Sequence, residues 1–126
     1  MNKNSLNVLG DKLEPCCLEP ATGYFRDGFC HTDQSDRGTH TVCAVMTDDF
    51  LSFTKSLGND LSTPAPQYNF RGLSAGDKWC LCAMRWKQAF DAGFPPPVIL
   101  SATNIKTLEL VPLEALLANE YITRND

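Results

Sequence analysis

His40-Thr41-Val42-Cys43-Ala44-Val45-Met46-Thr47-Asp48-Asp49-Phe50-Leu51-Ser52-Phe53-Thr54-Lys55-Ser56-Leu57-Gly58 is the stretch on which the fold turns. Its first seven residues are rich in β-branched and apolar side chains and favour a strand. Thr47 is a natural N-cap, and Asp48 and Asp49 complement the positive end of a helix dipole. Phe50, Phe53, Thr54 and Leu57 then form one face before Gly58 ends the helix. A strand that runs directly into an amphipathic helix requires two layers.

Downstream, Asn59 to Gly76 has no periodic pattern, only Asn-Asp, Pro64, Pro66, Gly72 and Gly76. Ordered loops of this length are often functional. Asp77 is placed to cap a second helix, Lys78 to about Ala92, with a stripe of Trp79, Ala83, Trp86 and Phe90 and with Gly93 at its end. Val98 to Ala102 returns as a strand, Leu108 to Val111 is extended, and Pro112 opens a short helix with Leu113, Leu116 and Leu117 inward. Upstream, Glu14 to Pro20 is bounded by prolines and reads as an irregular loop. Asp27-Gly28 between Tyr24-Phe25-Arg26 and Phe29-Cys30-His31 is a two-residue hairpin signal that sets Phe25 opposite Cys30. The chain therefore reads as α+β, a small β-sheet packed on one face by two or three helices in a two-layer sandwich. One domain over residues 1–126 is expected, with its ordered core at about 6–121, and neither an internal repeat nor a low-complexity segment is present.

Composition narrows the function classes. The 126 residues carry 11 Lys and Arg against 15 Asp and Glu, a formal net charge of −4. That balance offers no electrostatic footprint for a phosphate backbone or an anionic lipid surface, so neither nucleic acid nor membrane is an expected partner. No run approaches the roughly 20 apolar residues of a membrane span, and the polar segment Met1 to Asn7 has no signal-peptide core. A cytoplasmic protein is expected, with no indication of its oligomeric state. Stable disulfides are rare in a reducing cytosol, so the six cysteines are not read as three bridges.

The cysteines divide by geometry. Zinc wants four Cys or His ligands held tetrahedrally, but alternation along a strand turns Cys30 away from His31 and His40 away from Cys43. On a helix, Cys80 and Cys82 would lie about 200° apart. No metal ligand set and no cofactor is assigned, although a zinc site built from distant residues stays open as an alternative. Cys30, Cys43 and Cys82 fit the role of small buried hydrophobes, while Cys16-Cys17 lies in a loop. Cys80 would fall in the first turn of the second helix, on the side of Lys87, where a helix terminus and a cation lower thiol pKa values. It is the candidate nucleophile, with His40 as a candidate base and Asp27, Asp33, Asp36 or Asp60 as the orienting carboxylate. Spacing in Asp33 to Gly38 does not match a calcium-binding EF-hand loop.

Four strings carry a resemblance: Arg26-Asp27-Gly28-Phe29-Cys30, His40-Thr41-Val42-Cys43, Gly58-Asn59-Asp60-Leu61-Ser62-Thr63-Pro64 and Gly76-Asp77-Lys78-Trp79-Cys80-Leu81-Cys82-Ala83. With them the chain resembles, from about Asn7 to Tyr121, a family of short bacterial proteins catalogued as a domain of unknown function, number two thousand two hundred and thirty-seven. The resemblance implies attention to Asp27, Cys30, His40, Cys43, Asn59, Asp60, Trp79, Cys80 and Cys82. Its pattern often has a histidine where Asn104 stands and commonly lacks one at His31, so a mechanism needing either histidine would not extend across the family.

The leading expectation is a polar cleft formed by the Asn59 to Gly76 loop and the start of the following helix. Cys80 would be its thiol centre, His40 its base, and Asn59, Asp60, Tyr68, Arg71 and Asp27 its ligand-binding residues. Such a cleft would serve thiol-dependent chemistry or hold a small-molecule ligand. The alternatives are a non-catalytic binding or interaction module with structural cysteines, and a zinc-binding protein.

Overall fold

The structure is a computed structural model and describes residues 5–18, 22–68 and 70–122. Glu19 and Pro20 of the proline-bounded loop and Asn69 of the long loop lie outside the described residues. Two antiparallel strands, β1 (His40–Val45) and β2 (Lys78–Cys82), form the sheet. In register, Val42 faces Leu81, Cys43 faces Cys80 and Ala44 faces Trp79, with an irregularity between His40 and Val42. Three helices complete the α+β fold: α1 (Asp48–Ser56), α2 (Ala83–Ala92) and α3 (Leu113–Leu117).

The deciding stretch folds as its chemistry dictates. Val42, Ala44 and Met46 alternate onto one side of the sheet, and Thr47 accepts a hydrogen bond from the Phe50 amide as the N-cap of α1. Phe50 and Trp86 are both fully buried against that side, and the Trp86 indole N–H donates to the Pro96 carbonyl at 3.0 Å. Gly93 takes the left-handed conformation expected of a helix C-cap.

Four expectations are corrected. Residues 78–82 pair with β1 instead of starting a helix, because Lys78 to Cys82 can satisfy its backbone groups along β1 while Trp79 and Leu81 reach the core; tertiary pairing overrides the helical stripe. Asp77 accordingly closes a turn by accepting from the Ser74 amide at 2.9 Å, and α2 begins only at Ala83, with Cys82 as its N-cap residue. The Asp27-Gly28 hairpin does not form: the hydrogen-bonded turn runs from Gly23 to Arg26, and Gly28 instead accepts from the amides of Cys16 and Cys17 and donates to Thr22. Finally, Val98 makes only isolated bridges to Ala44 and Glu120, and Leu100–Ala102 and Ile105–Glu109 are 3-10 turns, not strands.

The two faces of the sheet bury different chemistry. One carries the aliphatic and aromatic core with the helices. On the other, Cys43 of β1 and Cys80 of β2 join Cys16, Cys30 and Ala102 in a separate buried cluster. The expectation of reduced cysteines is thereby overturned: Cys16 is bonded to Cys43 and Cys30 to Cys80, with Cα separations of 5.6 and 5.3 Å. A sheet of two strands has too little apolar surface on its second face to hold irregular chain by burial alone, and two covalent links fix that chain to it.

Candidate functional site

Cys80 lies on this second face, and the cleft above it collects chemistry-bearing side chains. Gly23, Tyr24, Arg26, His40, Trp79 and Cys80 line a space of about 180 Å³. Three neighbouring segments supply these residues: the turn after Thr22, the first residue of β1 and the middle of β2.

His40 is held by Asp36. Its Nδ1 lies 2.6 Å from Asp36 Oδ1, and the Asp36 side chain is wholly buried whereas His40 is 37% exposed. Asp36 Oδ2 also accepts from the His40 amide at 2.9 Å and from the Thr32 hydroxyl at 3.0 Å. A carboxylate can only accept, so it fixes a proton on Nδ1 and makes Nε2 the acceptor in the neutral tautomer. This is the geometry in which a buried acid orients a histidine base.

The turn that presents His40 is under backbone constraint. Thr39 has φ 49° and Arg26 has φ 56°, the two non-glycine residues with positive φ among the described residues, and both flank the cleft. For a β-branched residue this conformation is an outlier that costs on the order of 1–3 kcal/mol. It persists because hydrogen bonds tie the turn down: the Thr39 amide donates to the Asp36 carbonyl, and the Thr39 carbonyl accepts from Thr41 and Ala83. Gly38 is needed for a different reason, since a Cβ there would stand 2.5 Å from the His40 ring.

Aromatic walls and a cation complete the cleft. Tyr24 stacks on His40 with ring centroids 6.2 Å apart, and its hydroxyl donates to the Ser35 carbonyl. The Arg26 guanidinium sits 5.7 Å from the centre of the Trp79 ring, while Phe70 meets Trp79 edge-on at 5.5 Å. Stacking on an indole holds a guanidinium in place while leaving its N–H groups available to an anion.

The structure thus brings together two of the residues expected from sequence, His40 and Cys80, and disperses the others. Asn59 caps α1, its amide and side chain both donating to Thr54. Asp60 organises its own turn: bonds from the Thr63 and Ser62 hydroxyls and amides hold its carboxyl down to about 2. Tyr68 is 73% exposed, and Arg71 pairs with Asp77 at 3.5 Å. Asp27 orients the other histidine, His31, at 2.8 Å. Among its described residues, the long loop contributes Phe70 behind Trp79 but no polar group to the cleft.

Cys80 is corrected in role. It is 2% exposed, bonded to Cys30, and its amide donates to Thr22 Oγ1 at 3.0 Å. It therefore presents no thiolate nucleophile in this structure. The features expected around Cys80, a helix start beside Lys87, belong instead to Cys82, which is half-buried, carries no disulfide and shares a surface groove with Arg85 and Lys87. The helix begins five residues later than the Lys78 start expected from sequence, which takes Cys80 out of its first turn and leaves Cys82 at its N-cap. Tyr24, Arg26 and Trp79 were missed as a group because Arg26 reaches Trp79 only through the turn at Gly23 and Gly28. Of the four carboxylates weighed for His40, Asp36 is the partner, an i,i+4 spacing that was present in the sequence.

Among the described residues, no helix is long and apolar enough to cross a membrane. A family model described as an uncharacterized protein conserved in bacteria, DUF2237, matches residues 6–120. No curated protein matches the chain.

Proposed function

The chain belongs to this DUF2237 family of bacterial proteins, and we propose that the cleft beside β1 is a small-molecule site in which His40 handles a proton and Arg26 holds an anionic group. The observation that carries this reading is the Asp36–His40 pair, a wholly buried carboxylate fixing one ring nitrogen of a histidine that lines the cleft. A structural histidine does not need an acid with three donors, a strained threonine before it and a glycine beneath its ring. These features together hold one ring orientation, which is what proton transfer to a bound molecule requires.

Ligand class follows from the walls. Tyr24 and Trp79 offer flat apolar faces, and Arg26 offers a fork of donors that matches a carboxylate or phosphate. A small planar molecule with one such group fits, its acidic or basic atom next to His40 Nε2. The Cys30–Cys80 bridge lies at the floor and keeps Trp79 and the turn containing Arg26 in register across the cleft.

The test is a nuclear magnetic resonance titration of oxidised protein with small aromatic carboxylates and aryl phosphates. Shift changes should gather on Tyr24, Arg26, His40 and Trp79, and should be lost in Arg26→Gln and His40→Gln. Responses confined to the α2 groove around Cys82 and Arg85, or none with any such anion, would remove the reading.

A further inference from the structure

The sulfur cluster beneath the cleft has a property that two structural bridges do not require. Cys43 and Cys80 are direct cross-strand partners, yet they are not bonded to each other. Each reaches to a separate segment, Cys43 to Cys16 and Cys80 to Cys30, so the two bridges lie side by side. The sulfurs of Cys16, Cys30 and Cys80 are all within 4.8 Å of one another, and Cys43 is joined to the first of these. Four cysteines from four segments share one buried cluster.

We propose that this cluster, when reduced, is a four-thiolate zinc site, and that the two disulfides are its oxidised form. A Zn–S bond is about 2.3 Å, so the edge of a tetrahedral four-sulfur site is roughly 3.8 Å. That edge falls between a disulfide bond and the 4.8 Å spread of the Cys16, Cys30 and Cys80 sulfurs. Opening each bonded pair by under roughly 2 Å and drawing the two pairs together reaches it. Thiolate is also the ligand that selects zinc over the hard cations.

The chemistry balances with a dithiol as reductant. Each S–S bond breaks on taking two electrons and two protons from one dithiol, which closes to its own disulfide. The four thiols then lose four protons as four Zn–S bonds form, leaving a site of net charge −2. Arg26, in the cleft that Cys80 also lines, supplies nearby positive charge. Backbone anchors hold each of the four segments: Thr22 accepts from the Cys80 amide, Thr103 from the Cys43 amide and the Gly28 carbonyl from the Cys16 amide, and the Asn104 amide group donates to the Cys30 carbonyl. Zinc ties the same four segments that the disulfides tie, so one fold serves both redox states. This inference does not rest on the ligand reading of the cleft, and its test involves no anion.

Protein reduced anaerobically with a dithiol, then freed of it, is titrated with cobalt(II). The expected result is saturation at one cobalt per chain, with thiolate-to-metal charge-transfer absorption, the visible bands of a tetrahedral ion, and complete bleaching by one equivalent of zinc. A Cys17→Ser/Cys82→Ser double variant should give the same spectrum and endpoint, since it keeps only the four clustered cysteines. Cys16→Ser should lose the four-thiolate spectrum, and the double variant decides the matter if Cys16→Ser does not fold. Failure of the wild-type protein to saturate at one cobalt, or loss of the spectrum in the double variant, would overturn the proposal.

Discussion

Removing the bridges one at a time should destabilise the oxidised protein in a definite order. The first variant is Cys16→Ala/Cys43→Ala and the second Cys30→Ala/Cys80→Ala, both studied with a chelator present so that no metal substitutes for the missing link. The bridges span 27 and 50 residues of chain. In the chain-entropy description, closing loops of those lengths restricts the unfolded state by about 3.5 and about 4 kcal/mol respectively. Each double variant removes two buried sulfurs, so the packing losses are similar and the order is set by loop length. With an unfolding entropy of roughly 2.1 cal/mol/K per residue over 126 residues, these values lower Tm by roughly 13 and 15 °C. Against a typical total of about 5–15 kcal/mol, either loss is large. Urea denaturation followed by tryptophan fluorescence measures both. A loss under about 1 kcal/mol for either variant, or a clearly larger loss for Cys16→Ala/Cys43→Ala, would show that the bridges do not hold irregular chain onto a sheet face lacking enough apolar surface.

Thr39→Gly relieves a left-handed β-branched residue, so the protein should gain stability or stay within about 1 kcal/mol of wild type, while anion-induced shifts at His40 weaken; unchanged shifts would show that the strained turn does not position the ring. Asp36→Asn keeps the shape but loses the charge behind three hydrogen bonds, and should cost about 1–3 kcal/mol and slow acylation of His40 by diethyl pyrocarbonate, read by mass spectrometry. Asp60, whose carboxyl is held at about 2 chiefly by the Thr63 hydroxyl, has a folded value below its ordinary 3.8. Its contribution to the loop is therefore present above pH 3.8 and lost as the pH falls through about 2. Carboxyl carbon shifts should show that midpoint, and Thr63→Ala should move it upward; an unmoved midpoint would contradict the assignment. Trp86→Phe leaves the Pro96 carbonyl without its buried donor and opens a gap at a fully buried position, a loss of about 2 kcal/mol or more in chemical denaturation.

How far the sequence could be read depended on whether a residue's neighbours were local. β1, the Thr47 cap, α1 and the Pro112 start of α3 are set by adjacent side chains, and each lies where the pattern places it. Lys78 to Cys82 was misread because its apolar spacing suits both periods, and only the partner strand, some 35 residues earlier, selects between them. The disulfides were illegible for the same reason: cysteines from four separate segments meet only after the strands pair. His40 and Asp36 were both visible as candidates, but Asp36 could be singled out only once the turn through Thr39 folded the carboxylate back under the ring. The long loop drew attention because it lacks periodicity, yet its polar groups satisfy one another through Asp60, Ser62 and Thr63, leaving little for a ligand.

The claim on which the rest depends is that Cys16, Cys30, Cys43 and Cys80 gather beneath the cleft in two defined pairs. Tryptic mapping of oxidised, unreduced Cys17→Ser protein, alkylated before digestion, tests it directly. Peptide 13–26 should be linked to 38–55 and 27–37 to 79–85, with the alkyl group on Cys82. A link between 38–55 and 79–85, or a bridge through Cys82, would contradict it.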